Sequence, residues 1–295
     1  MNVHPNLIDL IGNTPMVRLK NFKPSRDIEI LAKLEGFNPS GSLKDRIVKS
    51  IIENGEKEGK LNKRKIIVEA SSGNTGISLA MFGAVKGYRV KIFMPENKSI
   101  ERRKMIKYWG AELVLTPADV PHSHIKAVES LLESDPESYY YLNQNGDSKN
   151  VEAHYSGTGE EILKQTGGDI SAVVAGLGTG GTLMGIAKRL KKYSDKIKVI
   201  AVEPEKPESK IEGLLHLNGS YIPPILEMDY IDENIRVPDD KAFEFTKKIS
   251  MLEGLFVGIS SGAVLYAALR ISNKIKKGNI VVVFADRGDR YISTS

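Results

Sequence analysis

The chain of 295 residues is long enough for one large α/β domain or two smaller ones, and its 41% hydrophobic and 27% charged residues are ordinary for a globular protein. A formal charge of +5, spread over dispersed lysines, does not indicate a nucleic-acid or membrane surface. Because the chain has no cysteine, disulfides, thiolate metal sites and a thiol nucleophile are excluded.

Short apolar, β-branched runs alternate with helical patterns along most of the chain. In chain order, strands are predicted at 65–69, 89–94, 112–116, 139–142, 172–175, 198–203 and 280–284. Helices are predicted at 43–58, 75–86, 100–109, 124–134, 160–165, 183–192, 241–252 and 262–275. Such alternation predicts an α/β fold with mainly parallel sheets covered by helices on both faces.

Two stretches interrupt the alternation. Residues 143–155 are polar, contain Gly146 and have no apolar period, which favours a boundary between an N-terminal domain, 1–145, and a C-terminal domain, 146–295. Residues 204–238 hold five prolines and no clear period. A functional segment and a plain surface excursion are both open interpretations of the second stretch.

Lys44 follows the turn Asn38-Pro39-Ser40-Gly41-Ser42 at the predicted start of a helix. An amine at a helix N-terminus feels the positive end of the helix dipole, which lowers its pKa and favours a nucleophile or a base. An exposed helix lysine would give the same local pattern, so the interpretation depends on the other motifs.

The turn Ser71-Ser72-Gly73-Asn74-Thr75-Gly76 follows the strand predicted at 65–69 and opens the next helix. Its free N–H groups, hydroxyls and amide suit a carboxylate or a phenolate oxygen. A helix cap rich in serine is the alternative.

The loop Gly178-Thr179-Gly180-Gly181-Thr182 lies between an apolar strand and a helix, and its N–H groups predict a phosphate site. An aldehyde cofactor with a phosphate tail needs an amine, polar groups and such a cradle, so the three motifs together indicate pyridoxal phosphate. The run from Gly176 to Gly181, with Glu203 farther on, also satisfies a dinucleotide fingerprint. An NAD-dependent dehydrogenase therefore remains an alternative, although it leaves Lys44 and the serine-rich turn unexplained.

Ser260 lies within Gly258-Ile259-Ser260-Ser261-Gly262, between an apolar run and a helix. A hydroxyl there could bond a ring nitrogen without protonating it, which keeps the ring a weak electron sink and suits elimination of a good leaving group from Cβ. A serine helix cap is the alternative.

With these motifs in order, the sequence resembles the cysteine synthase (O-acetylserine sulfhydrylase) family of fold-type II pyridoxal-phosphate enzymes. The resemblance begins at Ile11-Gly12-Asn13-Thr14-Pro15, includes Ser99-Ile100-Glu101-Arg102-Arg103-Lys104, and ends at Arg287-Gly288-Asp289-Arg290-Tyr291. That ending is closer to the B-type isozymes. The resemblance implies two αβα units of the tryptophan synthase β-like type, with the first 35 or so residues packed on the C-terminal domain.

The resemblance also implies a role for each motif. Lys44 would hold the cofactor and shuttle the α-proton, Asn74 would bond the ring hydroxyl oxygen, and Ser260 would bond the ring nitrogen. The cofactor phosphate would lie on Gly178, Thr179, Gly180, Gly181 and Thr182. The substrate α-carboxylate would be held by Ser71, Ser72, Asn74, Thr75 and Gln144. The implied reaction eliminates the leaving group of an activated serine and adds a sulfur nucleophile to Cβ, without a metal.

Departures from the family pattern bear on the amino-acid donor. The segment 213–224 reads Leu214-Leu215-His216-Leu217 where B-type relatives often carry arginine, and Asn145 replaces an aromatic residue. A phosphate ester adds about two negative charges and would call for an arginine, so we expect O-acetylserine with sulfide. Arg102, Arg103 or Arg236 could reach in from elsewhere. O-phosphoserine sulfhydrylase, cystathionine β-synthase-like and serine/threonine dehydratase activities stay open.

Residues 1–20 lack an uninterrupted apolar segment, so we expect a cytoplasmic protein without a signal peptide. By resemblance we expect a homodimer and a possible complex with the C-terminal peptide of a serine acetyltransferase. His122 and His124 lack further ligands nearby and indicate a polar loop rather than a metal site.

Overall fold

The computed structural model describes residues 3–217 and 222–293. Within them the strands form two separate sheets, one of four strands and one of six, and helices pack against both. The predicted fold class, α/β with two three-layer units of mainly parallel sheet, is confirmed.

The four-stranded sheet has the order β5-β4-β3-β6, and each neighbouring pair is parallel. Its strands are β3 (Ile66–Ala70), β4 (Arg89–Pro95), β5 (Glu112–Thr116) and β6 (Tyr139–Tyr141), and its helices are α1 (Lys44–Lys57), α2 (Asn74–Lys86), α3 (Ile100–Tyr108) and α4 (Ser123–Ser134). Ile67 points into a core shared with α1 and α2, while Val68 packs with α4 on the opposite face. Successive residues of a strand face opposite sides, so an apolar run such as Ile66-Ile67-Val68 suits a sheet buried on both faces.

The six-stranded sheet has the order β1-β2-β10-β7-β8-β9. Its strands are β1 (Met16–Arg18), β2 (Ile28–Leu34), β7 (Ala172–Gly176), β8 (Lys198–Pro204), β9 (Glu233–Val237) and β10 (Gly278–Phe284); the helices that follow the first sheet are α5 (Lys149–Ala153), α6 (Glu160–Thr166), α7 (Gly181–Tyr193), α8 (Asp239–Glu253) and α9 (Ile259–Ser272). Of its described pairs, β1 with β2 is antiparallel and the rest are parallel. Val282 of β10 packs toward α9, and Val281 packs toward α7.

Three strands escaped prediction. In β2 the residues Glu29 and Lys33 interrupt the apolar pattern, yet Lys33 is fully buried because an ion pair with Glu161 satisfies its ammonium. The strand β1 is only three residues long, and β9 is a polar edge strand inside the irregular segment 204–238. Since β1 and β2 join the second sheet, the first stretch of chain packs with the later strands. The division of the chain at residues 145/146 stays a prediction.

The stretch 143–155, predicted to be an irregular boundary, contains α5 and runs into a π-helical turn, His154–Gly159. Its buried residues are polar: Asn150 and His154 are both fully buried and hydrogen-bonded. A helix that buries polar side chains has no apolar period, which is why the pattern indicated a loop.

A buried ionic network fixes the start of α1 against the second sheet. Arg46 lies two residues after Lys44, and its guanidinium donates to Glu35 (Nε–Oε2 2.6 Å) and to Glu161 of α6 (Nη1–Oε1 2.7 Å). Lys33 of β2 donates to the other oxygen of Glu161 at 2.6 Å. Although burial opposes the charged carboxylate, the hydrogen bonds from Arg46 and Lys33 and their charges hold the pKa of Glu161 down to about 2.

Glu161→Gln should destabilise the protein by about 3 kcal/mol near neutral pH, because it leaves two buried cations short of a partner. The pKa of Glu161 is about 2 in the folded protein against an ordinary 4.5, so its stabilisation is complete above about pH 4.5 and disappears as the pH falls toward 2. Denaturant unfolding of parent and variant between pH 2 and 7 measures this. Glu58→Gln, at an exposed pair with Lys60, is the matched control and should change little. A gap between parent and E161Q that is independent of pH would contradict the assignment.

Candidate active site

An inner cavity lies beside the carboxyl ends of β3 and β7, and both sheets contribute to its wall. Lys44 and Asn74 are the first residues of α1 and α2 and line it from the first sheet. The loop after β7 and the start of α9 line it from the second sheet, through Gly178, Thr179, Gly180, Thr182 and Ser260. Residues far apart in sequence therefore meet where parallel strands end, as expected for open α/β sheets.

An outer cleft continues from Lys44 along the serine-rich turn. Its wall includes all the residues predicted to hold a substrate carboxylate: Ser71, Ser72, Asn74, Thr75 and Gln144. The Thr75 hydroxyl donates to Oε1 of Gln144 at 2.6 Å, which joins the turn to the loop after β6. The hydroxyl of Ser71 accepts from the backbone N–H groups of Gly73 (3.1 Å) and Gly76 (3.0 Å), so the side chain shapes the turn.

The glycine loop is a tight backbone cradle. The helix α7 begins at Gly181, so the first N–H groups of its opening turn have no acceptor within the helix and point to the cavity end. Gly180 has φ +89°, which favours glycine, and a Cβ on Gly178 would come within 2.7 Å of the Gly213 carbonyl oxygen. Gly181 does not line the cavity; it lies against the Asn150 side chain, which leaves no room for a Cβ.

Two residues that sequence reasoning missed support this cradle. Asn150 donates through Nδ2 to the Thr179 hydroxyl (3.0 Å) and to the Gln144 carbonyl (2.7 Å), so one amide ties the glycine loop to the loop after β6. His154 Nε2 lies 3.1 Å from the Thr182 hydroxyl. Burial, with Arg46 nearby, lowers the pKa of His154 to about 3, so the imidazole is neutral. Their i, i+4 spacing in a polar stretch was the only available signal.

Lys44 is partly buried, and its pKa is lowered to about 8 because burial disfavours the ammonium more than Glu69 and Asp286 favour it. A fraction of the amine is then neutral near physiological pH, as a nucleophile or base requires. Glu69, at the end of β3, is fully buried, and burial raises its pKa to about 8 despite hydrogen bonds from Gln144. The sequence offered no reason to single out Glu69.

Asn74 is held by the chain's last segment. Its Nδ2 donates to Oδ2 of Asp286 at 2.6 Å, and its Oδ1 accepts from Nη1 of Arg290 at 2.7 Å. Arg290 also donates to the Ser40 carbonyl at 3.0 Å, in the turn before Lys44, and Tyr291 donates to Asp286 at 2.5 Å. The segment that resembled the family ending thus orients both loops of the first sheet.

Glu203, the acid that would bind a ribose in the dinucleotide interpretation, does not line the cavity. Glu203 is buried away from the inner cavity, and its carboxylate accepts from Arg236 (2.8 Å), Asn234 (3.0 Å) and the Leu217 N–H (2.7 Å). It stabilises the segment after β8, so the dinucleotide interpretation loses its second element.

Of the three arginines proposed to reach the cleft, only Arg102 lines it. Arg102 lines the outer cleft, as does Lys98, whereas Arg103 donates to the Lys98 carbonyl and Arg236 pairs with Glu203 elsewhere. His122 and His124 also line the outer cleft, and burial lowers the pKa of His124 to about 4. Among residues 3–217 and 222–293, no group of His, Asp and Glu has the arrangement of a metal site.

Known proteins place the chain clearly. A family model described as pyridoxal-phosphate dependent enzyme matches residues 7–286. A cysteine synthase of Aquifex aeolicus is 43% identical over 98% of this chain and 91% of its own. A crystal structure of cysteine synthase from Entamoeba histolytica has a TM-score of 0.94 at 36% identity, over 99% of this chain and 90% of its own. A hydrogen sulfide-producing enzyme from Fusobacterium nucleatum has a TM-score of 0.94 at 39% identity, over 98% and 100%.

The chain therefore belongs to the pyridoxal-phosphate-dependent enzyme family, within its cysteine synthase branch. The residues fit the cofactor: an amine of lowered pKa lines the same cavity as the glycine loop, where Gly178 has no room for a Cβ and Gly180 has a φ that favours glycine. In the part of the chain that the structure describes, no helix has the length and apolar character to span a membrane.

Asp286→Asn should lower the pKa of Lys44 below about 8, since burial remains while one of the two carboxyls that stabilise the ammonium is lost. The ¹³C shift of the lysine Cε, followed against pH in cofactor-free protein and assigned with Lys44→Arg, measures this pKa. Asp119→Asn, at an exposed carboxylate, is the control. A midpoint that stayed the same or rose in the D286N variant would contradict the electrostatic origin of the shift.

Proposed function

We propose that this protein is a pyridoxal-phosphate-dependent cysteine synthase that replaces the acetoxy group of O-acetyl-L-serine with sulfur from sulfide to give L-cysteine. The observation that supports it most is the convergence of Lys44, the Ser71–Thr75 turn and the Gly178–Thr182 loop on the inner cavity and the outer cleft that continues from it. The similarity to proteins named cysteine synthase supports the same activity.

When bound, pyridoxal phosphate supplies an electron-withdrawing ring that takes up the electrons released at the substrate Cα. Lys44 would hold the cofactor and then carry the α-proton, a task for which a pKa near 8 leaves both protonation states accessible. Gly178, Thr179, Gly180 and Thr182, which line the inner cavity, would bind the phosphate through N–H groups and hydroxyls, and Gly181, which lies against Asn150, would add its N–H group at the start of α7. Asn74, already oriented by Asp286 and Arg290, would bond the ring hydroxyl oxygen.

Ser260 lies in the first turn of α9, is buried and lines the inner cavity, which suits a bond to the ring nitrogen. A hydroxyl can hydrogen-bond the ring nitrogen without protonating it, which would keep the ring a modest electron sink. Elimination of a good leaving group from Cβ is then favoured over reactions that need a long-lived carbanion.

Ser71, Ser72, Asn74, Thr75 and Gln144 would hold the α-carboxylate of the donor in the outer cleft. The bond between Thr75 and Gln144 orients these side chains before the substrate arrives, which reduces the ordering cost of binding. The outer cleft is also lined by Glu212, Gly213 and Leu214 of the segment after β8, and it would hold the substituent on Cβ as well. A cytoplasmic homodimer, and a complex with a serine acetyltransferase peptide, remain predictions of the resemblance.

Borohydride reduction of the holoenzyme should place the cofactor on Lys44 in a peptide map. Lys44→Ala should lower kcat by at least about 10³-fold, since both the attachment and the proton carrier are lost. Lys49→Ala, on the same helix but away from the cavity, is the matched control and should keep both the label and the activity. A label on another lysine would contradict the assignment of Lys44.

Steady-state kinetics with O-acetylserine and O-phosphoserine at equal sulfide test the reaction. We expect cysteine as the product and a higher kcat/KM for O-acetylserine, because no arginine or lysine occurs in 213–224 and Arg102, which lines the outer cleft, is ion-paired with Glu212. A higher value for O-phosphoserine would overturn the donor. Pyruvate as the main product in the presence of sulfide would point to a dehydratase instead.

A further inference from the structure

The outer cleft contains one ion-paired carboxylate that the proposed reaction does not use. Glu212 follows β8 on the segment that docks against the glycine loop, and it lines both the inner cavity and the outer cleft. Among the described residues that line the outer cleft, Glu212 is the one acidic side chain, and the lysines and arginine of the cleft are Lys44, Lys98 and Arg102. The side chain of Glu212 is 19% exposed, so its charge is poorly screened by water.

Both cationic partners of Glu212 come from the opposite wall. Arg102 of α3 forms an ion pair with Oε2 of Glu212, and Lys98 Nζ lies 3.4 Å from Oε1. The Arg102 side chain is only 3% exposed, and its Nε has no hydrogen-bond acceptor among the residues that the structure describes. Glu212 therefore occupies a position where two cations face the cleft.

Arg102 also lies directly beside the substrate turn. Its side chain leaves no room for a Cβ on Gly73, in the middle of the Ser71–Thr75 turn, and its guanidinium stacks 4.4 Å from the ring centre of Tyr291. Tyr291 in turn bonds Asp286 of the inner cavity. The charges of Lys98 and Arg102 therefore act on the part of the cleft beside the Ser71–Thr75 turn, where the amino-acid donor would bind.

We propose that Lys98 and Arg102 form an anion subsite that the Glu212 carboxylate fills, and that Glu212 is thereby the residue that selects a neutral ester of serine over a doubly charged phosphate ester. The inference rests on the proposed function and names its substrate class. A phosphate ester carries about two negative charges near neutral pH, and to reach the two cations it has to displace the carboxylate or lie against it. An acetyl ester has no charge on its leaving group and meets no such repulsion.

Glu212→Gln keeps the shape of the side chain and removes its charge, so it tests the proposal directly. On the holoenzyme, the ratio of kcat/KM for O-phosphoserine to that for O-acetylserine should rise at least about tenfold, as expected for one unit charge a few ångströms away. The dissociation constant of inorganic sulfate, measured by calorimetry on the holoenzyme, should fall by a similar factor. Glu208→Gln removes an exposed charge from the same segment and should change neither value.

Lys98→Gln provides the complementary change, since Glu212 keeps its pair with Arg102. Introduced alone, Lys98→Gln should lower the donor ratio, which is kcat/KM for O-phosphoserine divided by that for O-acetylserine, and should weaken sulfate binding. Introduced together with E212Q, it should remove much of the rise in the donor ratio that E212Q causes. It also decides the matter if E212Q does not fold.

Three results would overturn the inference: an unchanged donor ratio in a folded E212Q variant, an equal gain for both donors, or a Lys98→Gln variant that binds sulfate as the parent does. If the parent forms cysteine from neither donor, the proposed function fails. The sulfate constants then still decide whether Glu212 occupies an anion subsite.

Discussion

The hydrogen bonds that Asp286 and Arg290 make to Asn74 and Ser40 are the contact on which the site depends. They join the segment after β10, one of the two central strands of the second sheet, to the two turns of the first sheet that open α1 and α2. Together with the ionic network around Arg46, they fix the distance between Lys44 and Asn74 of the first sheet and the glycine loop and Ser260 of the second. Since Arg290 is fully buried and its guanidinium is hydrogen-bonded on both sides, the geometry is strongly specified.

The electrostatics of the first helix reinforce this geometry. Arg46 and Lys33 are buried in contact with carboxylates, and their network holds α1 against β2 and α6. Lys44, two residues before Arg46, has no ion pair within the described structure, and its pKa is lowered to about 8. The fully buried Lys33 is therefore a structural cation held by Glu161, whereas the lowered pKa of the partly buried Lys44 leaves a fraction of its amine neutral and able to react.

The extent of successful sequence prediction follows from where each signal comes from. The strands β7 and β10 are apolar on both faces, and the residues of the glycine loop and the serine-rich turn are consecutive in the sequence. Local patterns were therefore sufficient to predict these strands and to single out two loops that line the cavity and the cleft. The strand β2 was missed because Lys33 looks exposed until Glu161, far along the chain, supplies its partner. Asn150, His154, Glu69 and Glu212 were missed for the same reason, since each acquires its meaning from residues distant in sequence.

The most direct test is a crystal structure of the borohydride-reduced holoenzyme. We expect the cofactor joined to Lys44, its phosphate within hydrogen-bond distance of the N–H groups of Gly178–Thr182, its ring hydroxyl oxygen at Asn74 and its ring nitrogen at the Ser260 hydroxyl. A phosphate bound away from the glycine loop, or a ring nitrogen that faces a carboxylate instead of Ser260, would contradict the arrangement of the site derived from its two sheets.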